Sequence, residues 1–178
     1  MRIGNILFKR WLIKMIDNFK YPDTKAYDYV VAKLSAKGVT YKEIAKITYD
    51  LQKQFLPHID IKEYEETTID VMHKRELLNN VMVGLYLDEM ATQHKLDEPL
   101  QSIVQHDVGV FGVDETLALQ IANIYGSIGV TNYGHVDRVK PGIIGKLDQD
   151  QESVNTFIDD IVGGIAAAVA GKLAHKYS

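Results

Sequence analysis

The sequence predicts an all-α protein, a compact multi-helix bundle in which one central apolar helix is surrounded by others. Apolar residues recur at spacings of three and four along most of the chain, as on the buried face of a helix. Alternating apolar and polar runs joined by hairpin turn residues, which would indicate strands, do not occur. The 178 residues, 46% of them hydrophobic, suffice for one domain with a sizeable core, which we expect over residues 21–178.

The first twenty residues predict a separate, basic amphipathic helix. Five basic residues stand here against Asp17 alone, and an apolar face of helical spacing runs from Phe8 through Trp11 to Phe19. Such a helix can lie in a membrane interface, with basic side chains toward anionic headgroups. It can equally pack its apolar face on the domain or on a second subunit of a homo-oligomer. The sequence leaves both interpretations open.

The next three helices are predicted from apolar stripes and capping residues. The stripe over residues 27–34 precedes Gly38, a residue typical of a helix C-terminus. Thr40 opens a capping box for a helix that we expect to continue to Phe55. Asp60 stands at the same position before a further apolar stripe, so a third helix should begin there.

Five more helices are expected in the rest of the chain. A natural N-cap, Asp114, should begin one of them, and a polar loop over Gly145–Ser153 should precede the last. The expected ranges are 77–90, 97–106, 114–126, 128–139 and 154–177.

Composition removes several classes of protein. The chain has no cysteine, which excludes disulfides, thiolate zinc sites and cysteine nucleophiles. Its net charge of −4 argues against a nucleic-acid partner. No apolar run approaches the ~20 residues that span a bilayer. We therefore expect a cytoplasmic protein, with any contact at the inner face of the membrane made peripherally through residues 1–20.

Two adjacent carboxylates, Asp159 and Asp160, are the most informative feature of the chain. They lie about one turn inside the predicted last helix, which is otherwise apolar and rich in glycine and alanine. Carboxylates near an apolar core are costly unless they are protonated, paired or bound to a metal. Gly163 and Gly164 follow one turn later and would let another helix approach closely.

The obvious partners of this pair are three acidic residues upstream, Asp114, Glu115 and Asp137. Carboxylate oxygens are the ligands that Mg²⁺ prefers, so the set is suited to a hard metal ion. Lys140, three residues after Asp137, supplies a cation that can hold a phosphate oxygen. The competing interpretation is purely structural, with Asp114 as a helix cap and the other groups in ion pairs.

Three motifs in this region resemble those of the phosphatidylglycerophosphatase A family, and they occur in the same order. Asp114-Glu115 is similar to the family's Asp-Glu pair, and residues 137–141 to its Asp-x-x-Lys-Pro motif. Residues 159–164 resemble its Asp-Asp-x-Val-Ala-Gly motif, with Gly163 in place of alanine. Further likenesses to the compact, firmicute-type branch lie in residues 99–104, 125–129 and 140–147.

The resemblance implies Mg²⁺-dependent removal of the terminal phosphate of phosphatidylglycerophosphate, which gives phosphatidylglycerol. It implies that Lys140 binds the substrate phosphate. The alternatives are a Mg²⁺-dependent phosphohydrolase acting on a soluble phosphate ester or nucleotide, and a non-enzymatic helical interaction domain. The candidate catalytic and metal-binding residues are Asp114, Glu115, Asp137, Asp159 and Asp160.

Overall fold

The computed structural model describes residues 19–178, which form a bundle of α-helices, so the predicted fold class is confirmed. Residues 1–18, and with them nearly all of the predicted basic helix, lie outside the described residues. The helices are α1 (Asp23–Ala36), α2 (Tyr41–Gln52), α3 (Ile61–Met72), α4 (Arg75–Thr92), α5 (Leu100–Gln105), α6 (Val113–Ala122), α7 (Gly126–Val139), α8 (Ile143–Asp148) and α9 (Ile158–Tyr177), with a 3₁₀ turn over Asn123–Tyr125 between α6 and α7.

The last helix, α9, is the centre of the bundle. Every residue from Ile158 to Gly171 is buried, as expected for a helix that is apolar around its whole circumference apart from Asp159 and Asp160. Helices α6 and α7 pack along it, α2 and α3 also contact it, and α4 and α8 complete its surroundings. Among residues 19–178, no helix is long and apolar enough to cross a membrane.

Small residues let the neighbouring helices approach α9 closely, as the sequence predicted for its two adjacent glycines. A Cβ atom at Gly164 would lie 2.6 Å from the backbone oxygen of Ala118 on α6. A Cβ atom at Gly163 would lie 3.3 Å from Val136 on α7. Glycine at these positions therefore sets the spacing of α6 and α7 from α9, and with it the spacing of their carboxylates.

The predicted caps of the early helices are present. Thr40 Oγ1 accepts a hydrogen bond from the backbone N–H of Glu43, and Asp60 Oδ1 accepts one from Lys62 at 2.7 Å. Helix α2 is shorter than predicted, because it ends at Gln52 rather than near Phe55.

Two predicted boundaries near the acidic residues are wrong. Helix α6 begins at Val113 with Gly112 as its N-cap, so Asp114 is not a cap but a buried residue of the first turn. Helix α8 occupies the first part of the predicted polar loop, since Ile144 and Leu147 bury their side chains in the core. Local polarity over residues 145–153 concealed this short helix.

The start of α9 also differs from the prediction, at Ile158 instead of Val154. Hydrogen bonds to distant residues keep the preceding segment out of the helix: the N–H of Val154 donates to Thr92 Oγ1, and Thr156 Oγ1 donates to the carbonyl of Val104. Asp159 and Asp160 therefore lie in the first turn, where the helix dipole favours negative charge.

Candidate metal and phosphate site

Three helices bring all five predicted acidic residues and Lys140 to one end of α9. The first turn of α6 supplies Asp114 and Glu115. The last turn of α7 supplies Asp137, and Lys140 follows directly after that helix in a left-handed conformation, with φ of 48°. The first turn of α9 supplies the remaining two, Asp159 and Asp160.

One group of carboxylates has the geometry of a cation site. Asp114, Glu115 and Asp160 each place one carboxylate oxygen so that the three atoms lie within 4.8 Å of one another. Asp114 Oδ1 and Glu115 Oε2 are buried and have no hydrogen-bond partner in the described part of the chain. Buried polar atoms without a partner are costly. Because oxygen atoms in this arrangement are what a hard divalent cation binds, the residues fit Mg²⁺.

The charges in this group are correspondingly perturbed. Burial, together with the adjacent Glu115 carboxylate, raises the pKa of Asp114 to about 7. The pKa of Glu115 is lowered, chiefly by its interaction with Asp114. Burial, and then the charge of Asp159, raises the pKa of Asp160 to about 8. Asp114 and Asp160 therefore resist ionisation in this group, and a bound cation would oppose that effect by favouring their charged forms.

Lys140 lies among a second group of carboxylates. Its ammonium donates to Asp159 Oδ2 at 2.6 Å, and lies 3.5 Å from Asp137, 3.6 Å from Asp148 and 3.7 Å from Asp160. Burial opposes its charge, but the bond to Asp159 and the surrounding carboxylates outweigh it, so the pKa of Lys140 is raised. Its side chain remains 28% exposed, which leaves it accessible to an incoming anion.

The adjacent residues Asp159 and Asp160 serve different sides of this site. Asp159 pairs with Lys140, whereas Asp160 faces α6 and accepts a hydrogen bond at 3.0 Å from the buried hydroxyl of Tyr133 on α7. Burial and then the Asp160 charge raise the pKa of Tyr133, which therefore stays a neutral donor. This division follows from the ~100° between neighbouring residues of a helix.

Two residues of the site were not among those predicted. Asp148 was assigned to a polar loop, but α8 carries it to Lys140. Tyr133 gave no signal beyond its place in the helix predicted over residues 128–139. Asp137 is not one of the three carboxylates whose oxygens lie within 4.8 Å of one another. Asp137 contacts Lys140 and is 38% exposed, so it lies at the rim.

Comparison with known proteins matches residues 29–175 to the model of a family, phosphatidylglycerophosphatase A. The chain belongs to this family. It is 45% identical to the uncharacterized protein YutG of Bacillus subtilis, over 82% of this chain and 88% of YutG. It is 40% identical to the uncharacterized protein YpjQ of the same organism, over 89% of each.

Solved structures of relatives have the same fold. The crystal structure of YpjQ aligns with a TM-score of 0.84, covering 88% of this chain and 98% of YpjQ. That of the low temperature requirement C protein from Listeria monocytogenes aligns with a TM-score of 0.83 at 46% identity, covering 85% and 96%. The three acidic motifs that resemble those of the family all lie at one end of α9.

Proposed function

We propose that this protein is a Mg²⁺-dependent phosphatase that removes the terminal phosphate of phosphatidylglycerophosphate to give phosphatidylglycerol. One observation carries the proposal: buried carboxylate oxygens without partners lie beside Asp160, which is itself 3.7 Å from the ammonium of Lys140. A cation site next to a fixed positive charge is suited to a phosphate group, whose oxygens need both. Family membership supports the choice of substrate class.

Asp114, Glu115 and Asp160 would hold the metal ion. When bound, Mg²⁺ neutralises charge on phosphate oxygens and makes the phosphorus easier to attack. Tyr133 orients Asp160 for this role by donating a hydrogen bond to Oδ1. Supporting hydrogen bonds of this kind fix the direction of a metal ligand.

Lys140 would bind a phosphate oxygen through its ammonium, which has three N–H donors. Its bond to Asp159 keeps the ammonium beside the metal group. In the reaction, a water oxygen bonds to phosphorus while the ester P–O bond breaks, and the leaving alkoxide takes up a proton. Asp137 lies at the solvent-exposed rim near Lys140, where a carboxylate can accept a proton from water.

Peripheral membrane contact through residues 1–20 belongs to the same proposal, because a lipid substrate must meet the site at a bilayer surface. The basic charges of that segment favour anionic headgroups, by about 1 kcal/mol for each residue near the surface. Full-length protein should therefore float with anionic liposomes at low salt. A truncation that starts at Tyr21 should remain folded and fail to float. Unfolding of the truncation, or full-length protein that ignores liposomes, would contradict this part of the proposal.

The deciding experiment measures phosphate release from phosphatidylglycerophosphate in mixed micelles, with and without Mg²⁺. Glycerol 3-phosphate and nucleotides form the soluble panel. We expect release from the lipid that depends on Mg²⁺ and is abolished in Asp160→Asn. Asp50→Asn is the matched control, since Asp50 is exposed on α2 and pairs only with Lys46 and Lys53 among the described residues.

The other functions considered correspond to other results of this assay. Faster release from a soluble ester or nucleotide than from the lipid would assign the same site to a soluble substrate. Full activity in the absence of any divalent metal would contradict the mechanism. No metal-dependent release from any substrate would favour a non-enzymatic interaction domain, in which the carboxylates serve as ion pairs.

A further inference from the structure

Asp88 lies on α4, outside the carboxylate group, yet its side chain is built into the start of α9. It is 4% exposed. Its two carboxylate oxygens accept from the backbone N–H of Phe157, at 3.1 and 3.2 Å, and Oδ2 also accepts from the N–H of Ile158 at 2.9 Å. The first N–H groups of a helix have no partner within the helix, so they must find one elsewhere.

Helix α9 cannot supply this partner itself. Its own N-cap residue is Phe157, whose side chain has no acceptor, whereas serine, threonine, aspartate and asparagine are the usual caps. Asp88 provides the missing acceptor from another helix. Gly84, one turn earlier on α4, permits the approach. A Cβ atom there would lie 3.0 Å from the Cβ of Phe157 and would overlap Ile161.

We propose that Asp88 is a positioning residue, which fixes the first turn of α9 so that Asp159 faces Lys140 and Asp160 faces the metal group. This inference rests on the proposed function of that site. The two carboxylates follow Ile158 directly in the chain, so a shift in the capped backbone would carry both of them away from their partners. The separation would loosen the bond from Tyr133 to Asp160.

The contacts of Asp88 indicate that its oxygens matter more than its charge, because both oxygens accept hydrogen bonds from backbone N–H groups. Burial raises the pKa of Asp88 to about 8, and the two N–H donors act in the opposite direction. A neutral group with an acceptor oxygen at the same place would therefore hold the backbone nearly as well. Asparagine is such a group, and as a helix cap it is about as effective as aspartate.

The test compares Asp88→Ala and Asp88→Asn with a matched control, Asp60→Ala. Asp60 caps α3 through the N–H of Lys62, so the control also loses a helix cap but keeps the site. Three properties are measured: amide hydrogen exchange over residues 157–163, Mg²⁺ affinity by calorimetry, and kcat and KM for phosphate release at saturating Mg²⁺.

We expect Asp88→Ala to exchange faster over this segment and to lose Mg²⁺ affinity and kcat by about 10–100-fold, the usual effect of removing a group that orients metal ligands. KM should change little. Asp88→Asn should stay within about 3-fold of the wild type, because its amide oxygen still caps the helix. The control should melt at a lower temperature with unchanged kinetics and unchanged exchange at α9.

Two results would overturn the inference. In the first, Asp88→Ala keeps wild-type exchange and Mg²⁺ affinity. In the second, Asp88→Asn loses kcat 100-fold while the amides of residues 157–163 exchange as slowly as in the wild type. That result would mean that Asp88 acts through its charge and not through its acceptor oxygens. If Asp88→Ala does not fold, the inference is judged on the amide exchange, Mg²⁺ affinity and kcat of Asp88→Asn. If the wild type binds Mg²⁺ but releases no phosphate, the proposed function fails, and exchange and calorimetry still test Asp88.

Discussion

Replacing Asp160 with asparagine should make the metal-free protein more stable and abolish its response to Mg²⁺. Burial and the charge of Asp159 raise the pKa of Asp160 from 3.8 to about 8 in the folded state. Between these two pH values the folded chain binds more protons than the unfolded chain. The free energy of unfolding therefore falls as the pH rises from about 4 to about 8, with no further loss above that.

The size of the expected gain in stability follows from the raised pKa of Asp160. At about 1.4 kcal/mol for each pH unit, the raised pKa costs the wild type at most about 6 kcal/mol at pH 8. Asparagine avoids this cost, which already includes the opposing attraction of Lys140, but its amide must itself be buried. We therefore expect a net gain of about 2 kcal/mol, since buried amides cost free energy of a similar order. For a chain of this length the gain raises Tm by about 4–8 °C.

Thermal melts at pH 5 and pH 8, with and without Mg²⁺, measure both parts of this prediction. At pH 5 the cost of the raised pKa falls to about 2 kcal/mol, because the pH is then close to the ordinary pKa of an aspartate, whereas the cost of burying the amide is unchanged. The advantage of Asp160→Asn should therefore disappear or reverse at pH 5. At a Mg²⁺ concentration 100 times its Kd, the wild type should gain about 2.7 kcal/mol, and the variant nothing. Asp50→Asn should behave as the wild type. The reasoning is refuted if Asp160→Asn melts below the wild type at pH 8 without metal, or if both respond equally to Mg²⁺.

Three further substitutions test the rest of the site. Lys140→Met should lower kcat/KM at least about 10-fold while the Mg²⁺-induced rise in Tm persists, because in the proposed mechanism Lys140 stabilises transition-state charge without binding the metal. Unchanged kinetics would show that Lys140 only forms ion pairs. Tyr133→Phe should weaken Mg²⁺ binding about 10-fold, as measured by calorimetry, since Asp160 loses the hydrogen bond that orients it. Unaltered Mg²⁺ affinity would show that Tyr133 does not orient Asp160. Gly164→Ala should lower the free energy of unfolding, measured by urea denaturation, by about 1–3 kcal/mol, because the new Cβ would overlap a backbone oxygen of α6. Wild-type stability would show that α6 can shift to accommodate the methyl group.

Structural features were predicted correctly from the sequence where the interaction that determines them is local. The caps at Thr40 and Asp60 were predicted because each bonds a backbone group two or three residues away. The close approach of α6 was also predicted, since small residues at 163 and 164 leave room whatever the partner is. The meeting of the three acidic motifs was expected from their carboxylates and the two glycines, and the family resemblance agreed with it.

Where the determining interaction is distant, the sequence was misleading. Helix α9 starts late because Val154 and Thr156 bond to residues 62 and 52 positions earlier in the chain. Asp88 caps a helix about 70 residues away, and lies on the same buried face of α4 as Val81 and Leu85. A lone acidic residue on such a face indicates a buried partner, but the pattern cannot tell which residue that partner is.

The length of α9 separates the two ends of the bundle. Its 20 residues extend about 30 Å, from the acidic first turn to Tyr177 at the other end of the helix. A tether fused after Ser178 would therefore leave the opposite end, with Lys140 and its carboxylates, facing away from the support. Protein immobilised in this orientation could be presented to supported bilayers or soluble esters in turn. The geometry thus allows surface-bound and dissolved substrates to be compared on the same molecules.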